Sequence, residues 1–243
     1  MKLLLLSNSS NHGSSYLDHA VEEITRLLRG VSRILFVPFA LQDQTLYWTK
    51  ARERFSKLGI EVDRLEEGPG SREVVRRARG IFIGGGNTFR LLDRLHRCDV
   101  VGEIRERVLA GMPYMGASAG TVVASPTLKT TNDMPIVQPH SFGALGLVPF
   151  QINCHYLDAD PGSTHMGETR EQRIVEFLEA NDVPVVGLRE GSMLWVEGET
   201  ALRVELSGTS GARVFTRGAD PVEHGPGARL DHLAITSDPR STR

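Results

Sequence analysis

Short apolar runs alternate with amphipathic stretches along most of this chain. Leu3-Leu4-Leu5-Leu6, Ile34-Leu35-Phe36-Val37 and Ile81-Phe82-Ile83 are too short for helices and stop at polar or glycine-rich segments, so they predict buried strands. Residues 60–65 give another strand. Between these runs, Leu17, Ala20, Val21, Ile24, Leu27 and Leu28 recur at helical spacing, with Ser14 or Ser15 as the candidate cap. Further helices are predicted over 46–58 and, capped by Ser71, through Ala78. This alternation predicts an α/β fold: a three-layer arrangement in which a mainly parallel sheet is covered by helices on both faces.

The pattern continues with helices over 87–98 and 101–109, a strand at Tyr114-Met115, a strand over 150–154, a helix over 168–178 and a strand over 183–188. Residues 127–146 lack periodicity and are expected to be loop, with one short strand around Ile136-Val137. Beyond Glu190 the texture changes to short β segments, 193–196, 202–206 and 213–215, separated by glycine turns. They predict a C-terminal β segment on the same unit, with no linker before it, so 1–243 is expected to form one domain. The polar residues 236–243 are expected to be loose.

Composition narrows the function classes. With 243 residues, 40% apolar and 24% charged, the chain can bury a substantial core. A net charge of −2 offers no electrostatic case for nucleic acid or an anionic membrane. Arginines alternate with acids at 52–54 and 103–107, which predicts solvated helix faces. Cys98 and Cys154 have no metal-type spacing and are expected to be free thiols in a reducing cytoplasm. The leucine run at the N-terminus is too short for a signal peptide, and nothing approaches a membrane span. No metal or organic cofactor is called for.

Candidate chemistry gathers where strands end, the edge at which open α/β sheets bind ligands. Gly84-Gly85-Gly86 follows one strand, and His155 and Glu190 each close a later one. Ser118, within Gly116-Ala117-Ser118-Ala119-Gly120, has the strand, sharp turn and helix context of a nucleophile elbow. A serine needs an imidazole to take its proton, and the imidazole needs a buried carboxylate to orient it. Ser118, His155 and Glu190 fill those roles, with the Gly86 and Ala119 amides as the candidate oxyanion hole. Asp133 competes for the acid role, because its place between serine and histidine matches the chain order of α/β-hydrolases. Each feature also has a plainer reading: Ser118 as a helix cap, His155 as a surface histidine, Glu190 as a solvated turn residue, and the glycine run as a phosphate cradle, although it lacks the Gly-Lys-Ser/Thr of a P-loop.

Six blocks, Gly84-Gly85-Gly86-Asn87-Thr88-Phe89, Gly116-Ala117-Ser118-Ala119-Gly120, Thr130-Thr131-Asn132-Asp133-Met134-Pro135, Gln151-Ile152-Asn153-Cys154-His155, Gly167-Glu168-Thr169-Arg170-Glu171-Gln172-Arg173 and Gly187-Leu188-Arg189-Glu190-Gly191, together closely resemble the peptidase E, or α-aspartyl dipeptidase, family. The resemblance implies a cytoplasmic serine peptidase with a Ser-His-Glu triad on a fold akin to class I glutamine amidotransferases, and so favours Glu190 over Asp133. It also implies dipeptide and short-peptide substrates that begin with aspartate. Such a substrate needs a cation for its β-carboxylate, for which Arg170 is the candidate, and an anion for its α-amine, for which Asp133 is. Asn87 and Thr131 are expected to complete the hydrogen bonding. The chain departs from the pattern at Ala117, where an aromatic residue is frequent, and at Cys154, where proline is. Two other readings stand beside this one: a cyanophycinase-like enzyme cutting at aspartate that carries a side-chain arginine, and a non-catalytic amidotransferase-like protein that binds a small anion. Monomer and homodimer are both open.

Overall fold

The computed structural model describes residues 1–162, 164, 166–198 and 201–234; the expectation of a loose end over 236–243 lies outside the described residues. The strands in chain order are β1 (Lys2–Leu6), β2 (Arg33–Val37), β3 (Glu61–Arg64), β4 (Ile81–Ile83), β5 (Tyr114–Ala117), β6 (Gln151–Cys154), β7 (Val185–Leu188), β8 (Ser192–Glu197), β9 (Arg203–Gly208), β10 (Ala212–Phe215) and β11 (Val222–His224). They form two sheets, not the one expected. A seven-stranded sheet runs β3-β2-β4-β5-β1-β8-β9, and a four-stranded sheet runs β11-β10-β7-β6. The five strands from β3 to β1 pair in parallel, while β8 and β9 extend the sheet antiparallel beside β1. The C-terminal β segment is thus divided: β8 and β9 join the large sheet, and β10 pairs antiparallel with β7 in the small one.

The helices are α1 (Val21–Leu27), α2 (Gln44–Ser56), α3 (Ser71–Arg77), α4 (Thr88–Arg97), α5 (Val101–Leu109), α6 (Ala119–Val122) and α7 (Arg170–Ala180). Strand side chains alternate between faces, and the core divides accordingly. Leu4, Leu6, Phe36, Phe82 and Met115 pack with Ile24, Ala51 and Phe55 of α1 and α2. Leu3, Leu5, Ile81, Ile83 and Tyr114 face the other way, onto Val75, Leu91, Ile104 and Val122 of α3 to α6. Ile152, Val186 and Leu188 of the small sheet join that second core, and α7 covers the small sheet's far side through Ile174 and Leu178. The small sheet therefore lies next to α6, at the end of β5.

Several local expectations are corrected. Neither Ser14 nor Ser15 caps the first helix: a 3-10 turn, Asp18–Ala20, precedes α1, and Ser15 donates its N–H to Asp18 Oδ2. Ser71 is the first residue of α3, not its cap, and its hydroxyl donates to the Glu66 and Gly68 carbonyls. Ile136-Val137 forms no strand, and β11 was not expected because its residues are mostly exposed. The arginine-rich faces are not wholly solvated. Glu103 is only 5% exposed and accepts from Arg72 and Arg76 of α3, whose hydrogen bonds, Arg76 foremost, hold its carboxyl below the usual carboxylate range. Arg54 likewise reaches Asp18 and is largely covered.

Candidate active site

β4 and β5 are paired neighbours in the large sheet, and they deliver Gly84-Gly85-Gly86 and Ser118 side by side. β6 and β7, paired in the small sheet, deliver His155 and Glu190. The residues expected on one sheet edge are therefore carried by two sheets, whose strand ends meet.

Ser118 has φ 51° and ψ −109°, in a region that L-residues avoid, and α6 begins at the next residue. Glycines on either side make this turn possible. A Cβ at Gly116 would stand 2.5 Å from the Gly120 carbonyl oxygen, and one at Gly120 would overlap the Ile83 carbonyl of β4. Ser118 makes no side-chain capping bond, so its reading as a structural cap is set aside. Its Oγ lies 2.7 Å from His155 Nε2, and His155 Nδ1 lies 2.6 Å from Glu190 Oε1. The consistent proton assignment is Ser118 O–H donating to Nε2 and Nδ1–H donating to Glu190. His155 also has positive φ, 54°. The carboxylate expected to be buried is not: Glu190 has 54% of its side chain exposed, and His155 has 39%.

Ser7 and Asn8, read from sequence only as the polar stop after the first strand, join the two sheets. The His155 N–H donates to Ser7 Oγ at 2.9 Å, Ser7 Oγ donates to the Leu188 carbonyl at 2.8 Å, and the Gly191 N–H donates to Asn8 Oδ1 at 2.9 Å. Both are buried. Two polar residues ending a leucine run were the available signal, since buried polar side chains persist where backbone needs partners.

A cavity of about 780 Å³ opens over the serine, with Tyr47, Gly85, Gly86, Asp133 and His155 among its lining residues. As the first residue of α6, Ala119 has an N–H outside the intrahelical ladder. The Gly86 N–H has no internal partner among the described residues, whereas Gly84 donates to Val37, Gly85 to Tyr47 and Asn87 to Ala40.

Asp133 is not hydrogen-bonded to His155. Its Oδ2 accepts from the Thr88 N–H at 2.7 Å, the Thr88 hydroxyl at 2.6 Å and the Thr131 hydroxyl at 3.2 Å, anchoring it at the start of α4. Asn87 and Thr131, expected to bond a ligand, are occupied otherwise. Asn87 Oδ1 caps α4 through the Arg90 N–H and its Nδ2 donates to the Met134 carbonyl, while Thr131 bonds Thr88 and Asp133. They hold the wall that presents Asp133. Arg170 opens α7, behind a capping box formed by Thr169 and Gln172. Burial lowers its pKa, Arg173 adds to that, and the Asp133 carboxylate opposes it, so the two candidate ligand-binding charges feel one another. Ala117 is a fully buried β5 residue and Cys154 is a buried free thiol, its pKa raised by burial. Among the described residues no group of three or more His, Cys, Asp or Glu could hold a metal ion, and no helix is long and apolar enough to cross a membrane.

The family model for peptidase family S51 matches residues 3–204. The chain belongs to peptidase family S51. It is 53% identical over 233 residues to a peptidase E of Streptomyces coelicolor, covering 96% of this chain and 95% of that one. It is 45% identical over 234 residues to a probable alpha-aspartyl dipeptidase of Drosophila melanogaster, covering 95% and 96%. A crystal structure of a peptidase from an acI-B1 actinobacterium shares the fold, with a TM-score of 0.68 at 18% identity over 94% of this chain and 96% of that one. A putative peptidase E from Listeria monocytogenes has a TM-score of 0.64 at 24% identity, over 86% and 98%. This S51 chain is therefore a peptidase, and the α/β architecture expected from its sequence is the one its relatives adopt.

Proposed function

We propose that this S51 peptidase removes N-terminal aspartate from dipeptides and short peptides through an acyl-enzyme formed on Ser118. The observation that carries the reading is the continuous relay from Ser118 Oγ through His155 to Glu190, at 2.7 and 2.6 Å. His155 Nε2 takes the serine proton as Oγ attacks the scissile carbonyl, and returns it to the leaving amine as the tetrahedral intermediate collapses. Water, with the same histidine as base, then releases aspartate. Glu190 keeps His155 in the Nδ1–H tautomer and offsets its charge when protonated. The developing oxyanion is met by the Gly86 and Ala119 amides, which have no internal partner among the described residues.

Asp133 lines the cavity, and Arg170, outside that lining, is near enough to feel the Asp133 charge; the two suit the ends of an aspartyl substrate. Arg170 offers a planar donor fork for the β-carboxylate. Asp133, fixed through Oδ2 to α4, has its second oxygen for the α-amine. The relatives named peptidase E and alpha-aspartyl dipeptidase support this assignment. A panel of Asp-Leu, Glu-Leu, Asn-Leu and β-Asp-Arg tests it. The purified protein is expected to hydrolyse Asp-Leu by far the fastest; preference for β-Asp-Arg would favour the cyanophycinase-like reading, and no hydrolysis at all would favour an anion-binding protein.

The acid can be assigned separately. Glu190→Gln is expected to lower kcat on Asp-Leu by about 10²- to 10⁴-fold with little change in KM, and Asp133→Asn to act mainly through KM. Steady-state kinetics showing the reverse split would give the triad acid to Asp133.

A further inference from the structure

Tyr47 lies on α2, facing the glycine loop that follows β4. Most of its ring belongs to the core: it packs edge-on against Phe36 at 5.0 Å and Tyr16 at 6.4 Å, and the residue is 7% exposed. Its hydroxyl does something else. Oη accepts the Gly85 N–H at 2.7 Å. A Cβ at Gly84 would stand 2.5 Å from that same oxygen, and one at Gly85 would stand 3.1 Å from Ser118 Cβ. The loop is thus wedged between the Tyr47 phenol and the serine, and a side chain at either position would press on one of them.

Three glycines in succession leave peptide planes free to rotate unless something holds them. The plane carrying the Gly85 N–H is held by Tyr47, and the plane carrying the Asn87 N–H is held by the Ala40 carbonyl at 3.1 Å. Between them lies the plane carrying the Gly86 N–H, which has no internal partner among the described residues. We propose that Tyr47 is a positioning residue for the oxyanion hole: by accepting from Gly85 it sets the rotation of the next peptide and keeps the Gly86 N–H aimed over Ser118. The inference rests on the reading of Ser118 as nucleophile. It adds a residue from the opposite face of the large sheet to the machinery. Burial raises the Tyr47 pKa, so the hydroxyl stays a neutral acceptor wherever the enzyme works.

Tyr47→Phe keeps the ring and removes only the acceptor. On Asp-Leu, kcat is expected to fall about 10- to 100-fold while KM stays within about twofold, less than deleting an oxyanion donor because the amide remains but is no longer held. A second probe isolates the oxyanion: an aminoalkyl boronic acid carrying the aspartate side chain. Ser118 Oγ bonds to its boron, the serine proton passes to His155, and the tetrahedral boronate presents an anionic oxygen to the hole. Affinity for this probe should fall by the same factor as kcat, and affinity for free aspartate should not change. Ser56→Ala, which removes an exposed hydroxyl from the far end of the same helix, should leave kcat within about twofold. An equal loss in Ser56→Ala, or a Tyr47→Phe enzyme with wild-type kcat, overturns the proposal.

Amide exchange followed by NMR in the unaltered protein gives a reading that does not depend on a variant folding. Gly85 should be protected and Gly86 should exchange quickly until the boronate binds; equal exchange of the two amides would also overturn it. Failure of the functional reading looks different. In that case the wild-type protein neither cleaves Asp-Leu nor bonds the boronate, whatever the amides do.

Discussion

Ser118→Ala is expected to abolish Asp-Leu hydrolysis, with kcat/KM falling by roughly 10⁴-fold or more while the fold is retained. The size follows from what the oxygen does. Among the described residues no other hydroxyl bonds His155 Nε2, and in the proposed mechanism the histidine then has no serine proton to take and no acyl group can be held. Residual rate would come from the amides and charges around the cavity acting on water. The fold should survive because Ser118 Oγ caps no helix and, among the described residues, bonds only His155. The comparison is steady-state hydrolysis beside thermal melting of both proteins, and activity within a few-fold of wild type at an unchanged melting temperature would remove Ser118 from the chemistry.

The largest loss of stability is expected from Gly120→Ala. Gly120 is buried in α6, where that short helix crosses the end of β4, and a methyl there would stand 2.7 Å from the Ile83 carbonyl carbon and overlap its oxygen. Both partners are backbone, so the clash is relieved only by prising α6 from the sheet. Tyr114, which donates its hydroxyl to the Gly120 carbonyl at 2.5 Å, would be disturbed in the same movement. Overpacking of this kind costs about 3 kcal/mol or more, which lowers the melting temperature by roughly 6–12 °C in a chain of this size. Activity should go with it, since the elbow moves with α6. Gly102→Ala in α5, where nothing stands within 4 Å of the added carbon, is the control and should be neutral or slightly stabilising. Equal melting temperatures for the two variants would contradict the close approach of α6 and β4.

Much of this is legible in the sequence itself. Ser118, His155 and Glu190 each close an apolar run, and a strand's C-terminal end is where an α/β sheet presents side chains, so local pattern was enough to nominate them. Which strands pair was not legible, because β6 and β7 look like β4 and β5 in composition; their separation into a second sheet depends on α6 and the small-sheet core packing together. Tyr47 was hidden for a related reason. An aromatic at helical spacing reads as core, and that its hydroxyl meets Gly85 depends on how α2 lies across the sheet. Polar residues near a glycine loop, such as Asn87 and Thr131, invite a ligand-contact reading. The same side chains cap α4 and fix Asp133.

The backbone at Ser118 and His155 has a price for the molecule as a whole. Both are non-glycine residues at φ above 50°, a conformation costing on the order of 1–3 kcal/mol at each position. Against a typical net stability of about 5–15 kcal/mol for a folded domain, that is a sizeable share held in two residues. Selection for thermal robustness alone would relax both turns, and each relaxation would part Ser118 Oγ from His155 Nε2. The working enzyme is accordingly a less durable object than its architecture permits, and stabilising substitutions made elsewhere, remote from these two turns, are the ones able to toughen it without silencing it.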